Sequence, residues 1–262
     1  MDPELVKALS YAQRLGNAAI GVVAVAPEYV ELNQKWAQDP KIVGLTILCR
    51  SITNFRAAVL LVQQEHPHVV EAKALVRMLY ENLVWLGALK ERGFEFVQDM
   101  REDEAFNRKA LTELTLELNR TQGGDVSGPD ALKLRSLIKD QSQRFPNPKK
   151  LNARKTAIDG RVEMAYFEYI RLSLDAVHCS VTALGHHLRG ERVKGELELS
   201  VVPRTTPAQE LSTVLHACHA LLMMARGADE LIGGTTAGPT LAALEAEYIS
   251  NDWVERLLPA GA

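Results

Sequence analysis

Between Val70 and Glu91 the chain places apolar residues all round a helical wheel: Leu75, Val76, Met78, Leu79, Leu83, Val84, Trp85 and Leu86, with Gly93 just beyond the end. A helix with no polar face must be surrounded by other helices, because any side left in water forfeits the burial that holds it. This stretch alone predicts a bundle built around it. Composition points the same way, since 36 leucines and 31 alanines outnumber 15 aromatic residues in a chain of 262. Leucine and alanine favour helix, whereas sheets draw on β-branched and aromatic residues, so an all-β fold is excluded.

Proline and capping signals divide the rest. Asp2-Pro3 opens a helix that should reach Val25, where Pro27 stops it, and a short helix follows to Ala37. Asp39-Pro40 opens a long helix from Lys41 to about Glu65. Phe94 to Asn119 alternates charges at helical spacing and reads as an amphipathic outer helix, followed by a glycine-rich break from Thr121 to Pro129. A helix over Asp130 to Gln143 leads to a connector over Phe145 to Lys150, and Arg161 to Leu188 reads as a second densely apolar helix. Within the connection Gly190 to Pro207, Glu196 to Val202 alternates briefly, which allows a short strand or hairpin. Thr206-Pro207 caps a helix to about Ile232, Gly233-Gly234 ends it, and Pro239 opens a last helix to about Leu257. The fold class expected is all-α: one domain over residues 1–262, a single helical bundle of about seven to nine helices with two central apolar helices. Its core should lie at about 41–188, with helices at 207–258 packing on it or at a homodimer interface.

The formal charge of -3 is too near balance to imply nucleic acid or membrane from the total. Its distribution is uneven, since Asp130 to Lys155 holds eight basic side chains against two acidic ones. That segment could contact RNA phosphates, although a solvated surface is the commoner use of such a run, and only Phe145 interleaves to stack a base. Cys49, Cys179 and Cys218 each sit inside an apolar helical pattern without C-x-x-C spacing, which suits buried thiols in a reducing compartment. No signal-peptide pattern opens the chain, and the apolar run Ala18 to Ala26 is about half of what a membrane helix needs. A cytoplasmic location and no membrane association are the expectations.

No phosphate-binding loop, nucleophile elbow or paired-histidine zinc motif is present in the sequence. The informative residues are instead polar groups within helices that otherwise look buried, where an unpaired polar group would be costly. Arg77 and Glu81 are four apart and share a face, and Glu81 is expected to be the buried carboxylate. Arg171, Asp175, His178 and Thr182 fall within about 60° of one another at about 100° per residue, and Thr46, Arg50 and Asn54 form a similar stripe. The three stripes are expected to meet at one junction and to satisfy each other there.

Two stretches carry a resemblance. R77-M-L-Y-E81 and Y169-I-R-L-S173-L-D-A-V-H178 resemble the paired signatures of an uncharacterised bacterial all-helical family, a domain of unknown function in which an R-x-x-x-E helix accompanies a later Tyr, Ser and His helix. The similarity covers roughly Ile42 to Leu188 and implies no settled activity. Arg171 with His178 also resembles the R-x(4 to 6)-H pattern of HEPN domains. That resemblance implies a metal-independent endoribonuclease of a toxin or defence system, in which His178 would exchange protons at the ribose and Arg171 would stabilise the phosphorane.

The reading the sequence favours is a ligand- or partner-binding bundle without chemistry, which uses no cofactor or metal. Arg77, Glu81, Arg50, Asn54, Tyr169 and Asp175 are its binding residues for a small ligand or a protein partner. The alternatives are the HEPN-like ribonuclease with catalytic Arg171 and His178, and a mononuclear metal site from His178, His216 and His219.

Overall fold

A computed structural model describes residues 2–31, 35–125, 127–177, 184–189, 198–200 and 203–257. Nine α-helices lie among the described residues: α1 Pro3–Val25, α2 Pro40–Val62, α3 Val69–Arg92, α4 Phe94–Thr121, α5 Pro129–Arg144, α6 Ala153–Asp159, α7 Glu163–Leu172, α8 Pro207–Leu231 and α9 Gly238–Ser250. The all-α bundle expected from the leucine and alanine content is the fold observed.

The capping chemistry sets the helix starts where the sequence placed them. Asp2 accepts from the Glu4 amide and Asp39 from the Lys41 amide, each with proline at the first helical position. Thr206 and Gln209 form a reciprocal capping box at the head of α8. At its tail, Gly233 and Gly234 take φ of 104° and 81°, and the buried Asp229 carboxylate accepts from the Thr235 amide at 2.9 Å. The short helix expected before Ala37 is reduced to 3-10 turns at Ala26–Glu28 and Trp36–Gln38, and the last helix stops at Ser250 with a further 3-10 turn at Glu255–Leu257.

α3 is central as expected. It packs against α2, α8, α7 and α6, so most sides of its apolar wheel meet another helix. α8 shares the centre, touching α1, α2 and α3, and its Leu215, Cys218, Leu221, Leu222, Met224 and Ala225 are fully enclosed. Tyr11 donates to the Leu244 carbonyl and Tyr248 to the Leu215 carbonyl, both at 3.0 Å, which pins α9 onto α1 and α8. α2 is long and apolar enough to cross a membrane by length and composition, and here it packs on α1, α3 and α8.

Two expectations are corrected. Arg161 to Leu188 is not one helix: Arg161 has a positive φ of 55°, α7 runs only from Glu163 to Leu172, and Ser173–Val177 forms a π-helical turn. Leu188–Arg189 then pairs antiparallel with Glu198–Leu199, the short ladder allowed by the alternation near Glu196. α7 therefore flanks the core, with Met164, Phe167 and Ile170 exposed while Ala165, Glu168 and Leu172 are buried. Cys49 is exposed rather than buried, Cys218 is buried, and Cys179 lies outside the described residues.

The corner between α6 and α7 reaches α3 by backbone contact. A Cβ built on Gly160 would lie 2.4 Å from the Ala88 amide nitrogen, and one built on Gly87 would lie 2.8 Å from a Val162 methyl. Neither position has room for a side chain. Gly160→Ala is expected to lower unfolding stability by about 1–3 kcal/mol, because backbone cannot yield as a side-chain tip can. A denaturant midpoint equal to that of the parent chain would contradict this contact.

Candidate functional site

Arg77, on the α3 face turned towards α7, is the centre of one polar cluster. Its Nε donates to Ser173 Oγ at 3.0 Å, Nη1 to Glu81 Oε2 at 3.0 Å and Nη2 to the Tyr169 hydroxyl at 2.6 Å. The guanidinium also lies over the Tyr169 ring, 4.3 Å from its centroid. Ser173 in turn donates to the Tyr169 carbonyl at 2.7 Å, bonding back four residues at the point where α7 gives way to the π turn. Arg77, Glu81, Tyr169 and Ser173, the four residues of the paired signatures upstream of His178, thus touch one another.

A second cluster lies beside it. Arg171 donates from Nε to the nearly enclosed Glu168 carboxylate at 2.8 Å, and its Nη2 is 2.6 Å from His216 Nε2. An arginine can only donate, so His216 Nε2 accepts and its proton sits on Nδ1. Nδ1 then donates to the Tyr80 hydroxyl at 3.0 Å, and Tyr80 donates on to His219 Nδ1 at 3.3 Å. Burial, followed by the Arg171 charge, lowers the His216 pKa to about 3, and burial lowers that of His219. Both imidazoles are neutral at ordinary pH. Lys73 pairs with Asp175, which also meets His186 Nε2 at 3.4 Å. Burial raises the Asp175 pKa, but the bonds from Lys73 and His186 outweigh it and leave it lowered. A cavity of about 240 Å³ opens beside this cluster between α3, α7 and α8.

The third feature is a cleft of about 320 Å³ between α2 and α3, walled by Trp36, Val43, Met78, Trp85 and Met100, with Arg50 and Glu81 on its rim. An adjoining groove of about 420 Å³ shares Trp36, Val43, Trp85 and Met100. The Arg50 side chain makes no hydrogen bond or ion pair among the described residues. Glu81 joins this cleft to the first cluster, since Arg77 holds its other side.

The three stripes therefore do not meet at one junction. α3 lies between α2 and α7, so the α2 stripe faces the tryptophan cleft while the α7 residues face Arg77 and α8. Thr46 and Arg50 are exposed, and Asn54 lies outside the cleft with its Nδ2 buried and unpaired among the described residues. Glu81 is not the buried carboxylate, for its side chain is 38% exposed; among the described residues Glu168 and Asp229 are the enclosed ones. Arg171 and Asp175 bond different partners, Glu168 and Lys73, and the π turn begins between them. His178 lies outside the described residues. Both ring nitrogens of His216 are engaged by Arg171 and Tyr80, which leaves it no lone pair for a metal, and the described residues hold no cluster of three ligating side chains. The basic residues of α5 are exposed, and α5 packs chiefly on α4.

Lys73 and Glu168 were not singled out from the sequence, and His216 was named there only as a metal ligand and not as the partner of Arg171. Glu168 had a legible signal, since it stands three residues before Arg171 on the same helical face. The pairing of α7 with α8 through His216 had none in the local pattern.

Compared with known proteins, residues 41–196 match the family described as a family of unknown function, DUF5677. No curated protein and no solved structure matches. The match agrees with the resemblance carried by Arg77, Glu81, Tyr169 and Ser173, and the HEPN resemblance finds no support in these comparisons.

Arg77→Met should lower stability by about 2–3 kcal/mol, the worth of charge-assisted bonds to groups that lose their partner. Arg77→Lys should recover less than half, since an ammonium cannot bond three ways in a plane and cover the Tyr169 ring. Full recovery by lysine would contradict the planar arrangement. Acidification tests the second cluster: below the ordinary histidine pKa of about 6.5 the unfolded chain takes up a proton that folded His216 refuses until about 3. Stability should then fall as pH drops through that window, by about 1.4 kcal/mol per pH unit for each such histidine. His216→Gln should flatten the decline between about pH 6.5 and 4.5, above the carboxylate range; an unchanged slope would remove His216 as its source.

Proposed function

The chain belongs to DUF5677, a family of unknown function, and we propose that this member is a non-catalytic binding module whose ligand occupies the tryptophan-walled cleft between α2 and α3. One observation carries the reading. The Arg50 side chain has no counter-ion among the described residues, and it lines a mostly apolar cleft together with Trp36 and Trp85. Ligand sites have this character: an apolar hollow of a few hundred cubic ångströms with a small number of placed polar groups.

The walls define the ligand class. Trp36 is half exposed, and Trp85 meets Phe96 edge-on at 6.1 Å, which fixes its ring as one side of the slot. A flat aromatic molecule gains most from such walls. A carboxylate on that molecule gives Arg50 the bidentate partner it lacks. Glu81 is held by Arg77 with one oxygen, so its other oxygen serves a donor on the ligand. Arg77, Tyr169 and Ser173 then act as positioning residues, fixing Glu81 from behind.

The test uses benzoate and indole-3-carboxylate with the matching amides as controls, read by tryptophan fluorescence and thermal unfolding. Saturating carboxylate should quench the signal from Trp36 and Trp85 and raise the melting temperature, as any ligand that prefers the folded state must. Arg50→Met should weaken the carboxylates by roughly tenfold, about 1.4 kcal/mol, while leaving the amides little changed. Trp85→Ala should abolish both. Equal binding of acids and amides, or no response to any of the four compounds, overturns the reading.

A further inference from the structure

We infer that the cavity between α3, α7 and α8 is a separate binding site for a small dianionic oxyanion, of the kind presented by inorganic phosphate or a phosphomonoester. The cavity is lined by Lys73 of α3, Arg171 of α7, and Gln209, Ser212 and His216 of α8. Two cations from different helices thus border one space of about 240 Å³. Neither of their carboxylate partners, Glu168 or Asp175, is among its walls.

The balance of donors and acceptors makes this an anion site rather than a neutral hollow. Arg171 spends Nε and Nη2 on Glu168 and His216, and its Nη1 has no partner among the described residues. Lys73 directs one of its three protons to Asp175. The Gln209 oxygen is used by the Thr206 cap, which leaves its amide NH2 group, and the Ser212 hydroxyl makes no bond among the described residues. On the acceptor side the His216 Nε2 lone pair is already taken by Arg171. The walls therefore hold a surplus of donors, and an oxyanion with several lone-pair positions is the ligand that uses them together.

The two ion pairs do not cancel this preference. Glu168 and Asp175 balance the formal charge of the two cations, while the donors they leave unused border the cavity. Binding an anion there needs no buried carboxylate to be displaced.

Calorimetric titration of the full chain with phosphate and with sulfate, which stays doubly charged across the pH range, tests the site at low and at physiological salt. Chloride at matched ionic strength is the control. The expected result is saturable binding of both oxyanions and none of chloride. The double substitution Lys73→Met with Asp175→Asn removes the cation together with its partner, so no buried charge is stranded, and should weaken sulfate by roughly tenfold or more, 1.4 kcal/mol per decade. Ser212→Leu fills the cavity without touching either ion pair and should abolish binding. Arg135→Met, on the exposed basic face of α5, should bind as the parent chain does. No heat from either oxyanion at millimolar concentration overturns the proposal, as does parental affinity in the double variant. An equal loss in Arg135→Met would assign the effect to general charge and overturn it as well.

Discussion

The approach of Gly160 to the Gly87–Ala88 peptide sets the position of everything on that side of the bundle. Because neither glycine carries a side chain, the two backbones can touch, and the α6–α7 corner sits as close to α3 as the chain allows. α7 leaves that contact at a fixed height and brings Tyr169 and Ser173 level with Arg77. The polar cluster is therefore a consequence of an apolar, steric constraint more than two turns away along α3.

From there the structure follows from what each side chain is able to donate or accept. Arg77 has donors in a flat fork, and it meets a carboxylate, a phenol and a serine hydroxyl arranged to suit that plane. Lys73, one turn earlier on the same helix, reaches Asp175 within the π turn, and α3 thereby holds both the end of α7 and the turn that follows. One helix, buried on most sides, supplies cations to α7 and walls to the tryptophan cleft on its opposite flank.

How much of this was legible in the sequence depended on whether the cause was local. Asp2, Asp39 and Thr206 declared their helices because a cap and a following proline act within a few residues. The centrality of α3 was legible from its own wheel. The reading of Arg161 to Leu188 as a second central helix failed because apolar residues are necessary for burial and not sufficient: Met164, Phe167 and Ile170 lie on the solvent side of α7. A π turn has no signature in hydrophobic spacing, so the 100° per residue of an α-helix does not carry across Ser173 to Val177. Of the residues named from the sequence as a binding set, Arg77 bonds both Glu81 and Tyr169, and Arg50 shares the tryptophan cleft with Glu81. The Lys73–Asp175 and Arg171–His216 pairings depend on tertiary packing, which brings α3 and α8 to the α7 region across long separations in sequence.

The line from Arg171 through His216 and Tyr80 to His219 has a property that its individual bonds do not. Two imidazoles and a phenol alone could be protonated in either of two opposite senses, nearly equal in energy, with each group exchanging its donor and acceptor roles. An arginine at the head has no acceptor to offer and removes that degeneracy for the whole line. The core of this bundle consequently has an orientation written in protons as well as in atoms, and a single cation half open to water dictates which nitrogen of the half-buried His219 carries its hydrogen.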